Sequence, residues 1–197
     1  MQNNILVLYY SRYGSTKKLA LQIARGVNSI PGIEAIIRTV PNVSAVCEQI
    51  EDTIPESGHP YVTIDELNNC NGLALGSPVR FGNMASSLKY FLDSTTDTWL
   101  KGNLVGKPAC VFTSSTSMHG GQESCLLSMM IPLLHHGMLI MGLPYTDTEL
   151  MKTVTGGTPY GVSHVDGINN NKDLSNSERH LAFIQGQNLA KTALKLI

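Results

Sequence analysis

The chain alternates short runs of consecutive apolar residues with longer stretches in which apolar residues recur every three or four positions. Ile5-Leu6-Val7-Leu8-Tyr9-Tyr10 is the first such run and predicts a strand over residues 4–10. Leu19, Ala20, Ile23, Ala24 and Val27 then share one face of a helix over residues 16–28. Further strands are predicted near 33–40, where Ile33, Ala35, Ile36, Ile37 and Val40 cluster, and at Cys70 to Gly76, Pro108 to Ser114 and Met138 to Leu143. Helices are expected over 83–94, with Met84, Leu88, Phe91 and Leu92 on one face, and over 122–135, with Cys125, Leu126, Met129, Met130, Leu133 and Leu134 apolar. A last helix runs from about 176 to the C-terminus, capped by Ser177 or Asn176, with Leu181, Ile184, Leu189, Ala193 and Leu196 in its stripe.

Strands that are apolar throughout, alternating with amphipathic helices, predict a parallel sheet covered on both faces. Right-handed crossovers put the loops after the first, third and fourth strands at the C-terminal edge of that sheet, where such folds bind ligands. The chain therefore reads as one α/β domain over residues 1–197, with a doubly wound five-stranded parallel sheet and two insertions, near 41–66 and 144–175. The first insertion holds Pro41, Pro55, Gly58 and Pro60; the second holds Gly156-Gly157-Thr158-Pro159-Tyr160-Gly161 and Asn169-Asn170-Asn171. Loops this long are usually functional, interfacial or disordered.

The candidate chemistry lies in the three strand-end loops. Ser11-Arg12-Tyr13-Gly14-Ser15-Thr16 joins a buried strand to a helix start, aiming N–H groups, hydroxyls and the positive end of the helix dipole at one point. It matches neither the triphosphate loop nor the dinucleotide fingerprint, and Arg12 is its one cation, so a single terminal phosphate fits best. A simple helix cap is the plain alternative. The loop Gly76-Ser77-Pro78-Val79-Arg80-Phe81-Gly82-Asn83-Met84 offers a flat apolar face in Phe81 and a helix cap in Asn83. The loop Ser114-Ser115-Thr116-Ser117-Met118-His119-Gly120-Gly121-Gln122 reads as a ligand wall or a solvated loop. Together the three could hold a flat heteroaromatic ring and its phosphate tail. Trp99, the sole tryptophan, is expected in a loop over 95–102, where it stacks on a planar substrate or anchors the loop. His135-His136 precedes Gly137 at a helix end, a favourable place for histidine. Adjacent helix positions diverge, and no metal-ligand or hydrolase pattern accompanies them, so no metal site is expected.

Composition narrows the partners. A net charge of −1 and a pI of about 6.6 argue against nucleic acid or an anionic membrane. No apolar run approaches the roughly 20 residues of a membrane span, and Met1-Gln2-Asn3-Asn4 lacks the basic start of a signal peptide. Cys47, Cys70, Cys110 and Cys125 form no CxxC or zinc spacing, and Cys70 and Cys110 fall in or beside apolar strands as reduced core residues. The cytoplasm is the expected compartment, and the sequon Asn42-Val43-Ser44 is read as chance.

Taken together, the segments 6–16 (LVLYYSRYGST), 76–84 (GSPVRFGNM), 89–93 (KYFLD), Trp99, 120–123 (GGQE), 133–138 (LLHHGM) and 156–161 (GGTPYG) resemble the WrbA-type NAD(P)H:quinone oxidoreductases, in that family's order and over essentially the whole chain. The resemblance implies a flavodoxin-like fold that binds FMN. By position, Ser11, Arg12, Tyr13, Gly14, Ser15 and Thr16 would hold the phosphate; Pro78, Val79, Arg80 and Phe81 would meet one isoalloxazine edge. Ser114, Ser115, Thr116, Ser117, Met118 and His119 would line the opposite edge. Trp99, Phe81 and Tyr13 would contact substrates, and His135 would sit by the flavin as the catalytic donor of a hydrogen bond or proton to the quinone. NADH or NADPH would pass a hydride to the flavin, leave, and be replaced by a quinone that leaves as hydroquinone, in ping-pong order. Family members are usually homotetramers, dimers of dimers, with insertions serving assembly and pocket walls. Two departures stand out: Ser117-Met118-His119 lies where the family is often richer in glycine, and Val79 stands where threonine is common. Two rival functions share the fold. A flavodoxin-type one-electron carrier would tend to be strongly acidic, which a net charge of −1 is not, and an FMN-containing regulatory or binding protein would find no basic surface here for nucleic acid.

Overall fold

The computed structural model describes residues 3–44, 55, 58–169 and 172–197; Cys47 lies outside them. In chain order the elements are β1 (Asn4–Tyr9), α1 (Ser15–Asn28), β2 (Glu34–Thr39), α2 (Ile64–Asn69), β3 (Gly72–Pro78), α3 (Ser86–Asp93), α4 (Thr96–Leu100), β4 (Pro108–Ser115), α5 (Gln122–His135), β5 (Leu139–Ile140), α6 (Glu149–Lys152), β6 (Val162–Val165) and α7 (Asn176–Leu196). All strand pairs are parallel, in the order β2-β1-β3-β4-β5, with β6 also on β4. The direction of winding reverses between β1 and β3, which opens a crevice at their C-terminal ends.

The sheet has six strands where the apolar runs predict five, because its fifth position is split. β5 pairs with the start of β4 (Pro108↔Leu139, Ala109↔Ile140) and β6 with its end (Phe112↔Val162 to Ser115↔Val165). The strand expected over 138–143 is cut short because Leu143 N–H donates to Pro159 O (2.9 Å), turning the chain onto its own returning segment. The glycines of 156–161 permit that return. A Cβ on Gly161 would lie 2.2 Å from Val111 O, and one on Gly156 would lie 1.9 Å from Ser163 O. On the described chain this motif serves backbone packing.

Strand alternation sends Ile5, Val7 and Tyr9 into a core under α1 and α7, and Leu6 and Leu8 into a second core under α3 and α5. Cys70, Cys110 and Cys125 belong to these cores, and burial pushes their thiols up to about 11, 12 and 11. They are small apolar residues here, as expected for the first two. Trp99 lies on the short helix α4 rather than in a loop. α2 begins within the expected 41–66 insertion, and α6 and β6 lie within 144–175.

Helix starts fall into two classes. α2 and α7 open with complete capping boxes, Thr63 with Glu66 and Ser175 with Glu178. Ser175 thus takes the role expected of Ser177 or Asn176. α1 and α5 open instead on left-handed glycines, Gly14 (φ 93°) and Gly121 (φ 88°), with no side-chain cap. Asn83 caps no helix; its Oδ1 accepts from Met84 N (2.8 Å) and Ser128 Oγ (3.0 Å). No helix among the described residues is long and apolar enough to cross a membrane.

Candidate functional site

The exits of β1, β3, β4 and β6 converge on a cleft of about 530 Å³. Ser11 to Tyr13, Ser15 and Thr16 form its first wall, Pro78 to Phe81 the second, Ser114 to Ser117 with Gly120 the third, and Asp166 lies at its base. The first turn is closed by Gly14 N–H donating to Ser11 Oγ (3.1 Å). The hydroxyls of Thr16 and Ser114, 2.9 Å apart and buried, tie the first and third walls together. No acid stands in the first turn of α1. The helix therefore presents its positive end to the cleft with no acid in its own first turn, and Asp166, bonded to Ser15 from the exit of β6, is the carboxylate beside it. A second cleft, of about 850 Å³, shares Ser11, Arg12 and Arg80 with the first and continues to Asn83 and Lys89.

Phe81 is the sole non-glycine at positive φ (51°) among the described residues, and its side chain is fully exposed (108%). Mutual hydrogen bonds between Arg80 and Asn83 (2.8 and 3.0 Å) make Phe81-Gly82 the centre of a two-residue turn, with Gly82 also at positive φ (76°). Such turns favour Asn-Gly. A bulky residue in the left-handed region costs about 1–2 kcal/mol, and exposing its ring adds no packing in return. This is the kind of local strain that functional sites retain. Phe81→Asn is expected to raise stability by about 1 kcal/mol and to lower turnover of planar substrates. Thermal melts and steady-state rates on the same sample check both signs; an unchanged rate would detach Phe81 from the site. Across the cleft mouth, Arg12 lies over the exposed Tyr13 ring, 5.4 Å from its centroid.

The base of the cleft is polar and buried. Gln122 Nε2 donates to Ser115 Oγ (2.7 Å), and its Oε1 accepts from Ser163 Oγ (2.8 Å). Asp166 Oδ2 accepts a short hydrogen bond from Ser15 Oγ. Asp166 Oδ1 faces His164 Nε2 at 3.6 Å, and neither atom has a hydrogen-bond partner among the described residues. On the far side of the ring, His164 Nδ1 lies 3.0 Å from Glu178 Oε2. Glu178 also accepts from Gly156 N (2.9 Å), Val165 N (3.1 Å) and Ser175 N (2.8 Å), so the N3 acid of the α7 capping box anchors β6 as well.

Burial pushes the Glu178 carboxyl up, but the bonds from His164 and the Ser175 and Val165 amides overcome it and hold the group down to about 2, against an ordinary 4.5. Its folded value lies below its unfolded one. The stability it contributes is therefore complete above about pH 4.5 and is lost as pH falls toward 2. Glu178→Gln should lower the melting temperature at pH 7, with the gap to the unsubstituted protein closing between about pH 5 and pH 2. A gap that stayed constant down to pH 2 would contradict this account.

Of the residues expected to bind the cofactor, Ser11, Arg12, Tyr13, Ser15, Thr16, Pro78, Val79, Arg80, Phe81, Ser114, Ser115, Thr116 and Ser117 line this cleft. Gly14 shapes the turn from behind, and Met118 and His119 are exposed beside the third wall without lining it. Trp99 and His135 do not reach the cleft within one chain. α5 starts at the cleft with Gln122 and ends, as a helix of 14 residues, at His135, about 20 Å along the helix axis. Trp99 lies on the connection that leads into the start of β4, at the opposite edge of the sheet. Gly120 lines the cleft as part of the loop expected to form a wall, whereas Asp166 lines it and was not expected. Val162-Ser163-His164-Val165, with apolar residues at both ends, was the available signal for Asp166, hidden inside a stretch that reads as a loop.

The arrangement has known counterparts. Residues 4–146 match the model of the NADPH-dependent FMN reductase family. The chain belongs to that family. It is 42% identical over 200 residues to a Geobacter sulfurreducens protein named NAD(P)H dehydrogenase (quinone), and 38% identical over 205 residues to one of the same name from Solidesulfovibrio magneticus, with 98% of each chain covered in both cases. These full-length relatives bear out the resemblance to the WrbA-type quinone oxidoreductases. In fold the chain is similar to a WrbA-like flavodoxin of Agrobacterium tumefaciens (TM-score 0.69, 19% identity, 99% of each chain). It is also similar to Flavodoxin 2 of Bacillus cereus (TM-score 0.59, 15% identity, 98% of this chain and 99% of that one). The flavodoxin-like fold follows from these.

Proposed function

We propose that the chain acts as one domain, an FMN-dependent NAD(P)H:quinone oxidoreductase that reduces quinones to hydroquinones by two electrons. The observation that carries this reading is the cleft itself: an uncapped, acid-free helix start with three hydroxyls at one end, and two loop walls with an exposed aromatic at the other. The donor set fits FMN. A phosphate monoester is satisfied by the α1 amides, the Ser11 and Thr16 hydroxyls and Arg12, and a flat ring fits between Val79-Arg80-Phe81 and Ser115-Thr116-Ser117. The cleft is of ordinary size for a bound small molecule. FMN supplies hydride acceptance and donation when bound. The protein's own residues hold it, orient it and exclude water, with Phe81 and Tyr13 as walls for the nicotinamide and the quinone in turn. Sharing one place predicts ping-pong kinetics.

The working site is completed in a homotetramer. An apolar stripe remains open on the outer face of α5 at Leu127, Ile131 and Leu134, next to His135, and Trp99, Leu100 and Val105 are exposed nearby. A second copy of this chain would cover that stripe and bring Trp99 and His135 to a neighbour's cleft, which one chain does not do by itself. His135 would then donate to the quinone oxygen. The family relationship supports a cytoplasmic location.

Anaerobic titration of the FMN-loaded protein with NADH tests the activity. Bleaching straight to the two-electron reduced form, reversed by benzoquinone, is expected. Failure of NADH to reduce bound FMN, with a stable semiquinone under dithionite, would favour the one-electron carrier. Trp99→Ala should lower quinone turnover at least about tenfold while FMN affinity changes little, and light scattering should give the mass of four chains. Unchanged quinone kinetics in that variant would remove Trp99 from the site.

A further inference from the structure

We propose that Asp166 and His164 hold one shared proton beside the flavin phosphate, so that FMN binds together with a proton and Asp166 sets the affinity for the phosphate. The inference rests on the FMN reading above.

Asp166 is the first residue after β6, at the same sheet edge as the phosphate turn, and it lines the cleft. Its Oδ2 takes the Ser15 hydroxyl proton, so Ser15 presents only lone pairs toward the cleft. Its Oδ1 and His164 Nε2 are buried and 3.6 Å apart. Glu178 is ionised and keeps a proton on His164 Nδ1 at 3.0 Å. A neutral His164 in that tautomer would turn the Nε2 lone pair toward a carboxylate lone pair. Two buried acceptors would then face each other, each paying its desolvation. One proton on the pair, carried as imidazolium beside carboxylate, makes it an ion pair across 3.6 Å. The pair is neutral with that proton and carries −1 without it, whichever atom holds it.

The surroundings leave this charge exposed to the ligand. β4 contributes only the hydroxyls of Ser114 and Ser115, and α5 the neutral Gln122. Arg12 and Arg80 line the cleft and bring their guanidinium charge to it. On α1, Lys18 is engaged by Asp173 (3.2 Å) and the Lys172 carbonyl (2.7 Å). Glu178 on α7 titrates far below neutrality. A phosphate dianion entering beside Ser15 therefore disfavours the unprotonated pair, and by linkage proton loss disfavours the phosphate.

The test is a titration of apo-protein with FMN and, separately, with riboflavin, followed by flavin fluorescence between pH 7 and 10, where the phosphate stays a dianion. The FMN Kd should rise by up to about tenfold per pH unit through the titration of the pair, while riboflavin, which lacks the phosphate, shows no such trend. Asp166→Asn should abolish the FMN trend and bind FMN about tenfold or more tightly at the alkaline end. Calorimetry in two buffers of different ionisation enthalpy should show proton uptake on FMN binding that Asp166→Asn loses. His164→Asn can keep the bond to Glu178 without the Nε2 site, and should move the trend to lower pH. An Asp166→Asn protein with the original slope, or with weaker binding throughout, overturns the proposal. So does an unmoved trend in His164→Asn, which decides the matter if Asp166→Asn does not fold. Failure of the unsubstituted protein to bind FMN at any pH would instead overturn the FMN reading, and this inference with it.

Discussion

Ser11→Asp is expected to make the apo-protein slightly more stable and to remove its hold on FMN. The Ser11 oxygen accepts the Gly14 amide that closes the turn, and an aspartate at that position can accept it equally well. It also places the missing negative charge against the positive end of α1, whose first turn has no acid. That interaction should add about 0.5 kcal/mol. The same charge stands where the phosphate must come. A carboxylate and a phosphate dianion a few ångström apart repel by several kcal/mol even with effective screening, so FMN affinity should fall at least about 100-fold. Riboflavin affinity should change little. Melting curves without flavin and fluorescence titrations with each flavin separate these effects. Retention of FMN at the original affinity would show that the α1 turn is not the phosphate site. Asp166, at the base of the same cleft, differs from this acid in that one of its oxygens accepts from Ser15 and the other faces His164.

Much of the cleft was legible because three of its walls are short, local and chemically marked. Ser11 to Thr16, Pro78 to Phe81 and Ser114 to Ser117 each follow an apolar strand, and topology alone brings strand ends together. The fourth contribution was not legible. β6 has four residues and pairs with β4 only after an excursion of some twenty residues, so its apolar signal is too short to mark it as part of the fifth strand position. Asp166 and the buried His164 were lost with it. The strand over 138–143 was overextended for the complementary reason. Met138 and Leu143 are both buried, but Leu143 is buried against the returning segment instead of in the ladder. Trp99 and His135 mark another limit. Their residue types and the family point to a flavin cleft, and a single copy of the chain leaves them at the far edge of the sheet.

Gly26→Ala and Gly186→Ala are each expected to destabilise the protein by about 3 kcal/mol, and the pair by clearly less than the sum. Both glycines sit mid-helix, where each forgoes about 1 kcal/mol of helix propensity relative to alanine. The crossing of α1 and α7 explains why. A Cβ on Gly26 would lie 2.0 Å from Phe183 O, and a Cβ on Gly186 would lie 2.0 Å from Ile23 O. Both obstacles are helix backbone and cannot rotate away. Each methyl must therefore push the two helices apart, opening the core that Ile23, Val27, Leu189 and Ala190 share. Once one methyl has separated them, the second finds part of its space already made. A coupling of about 1–2 kcal/mol is expected from that shared displacement. Urea unfolding of the two single variants and the double variant measures it; strict additivity would mean the two contacts relax independently. The displacement also reaches the cleft, because α1 carries the phosphate turn on its N-terminus. FMN affinity should therefore fall in Gly26→Ala, whose residue lies three turns from that turn and touches no part of the cleft.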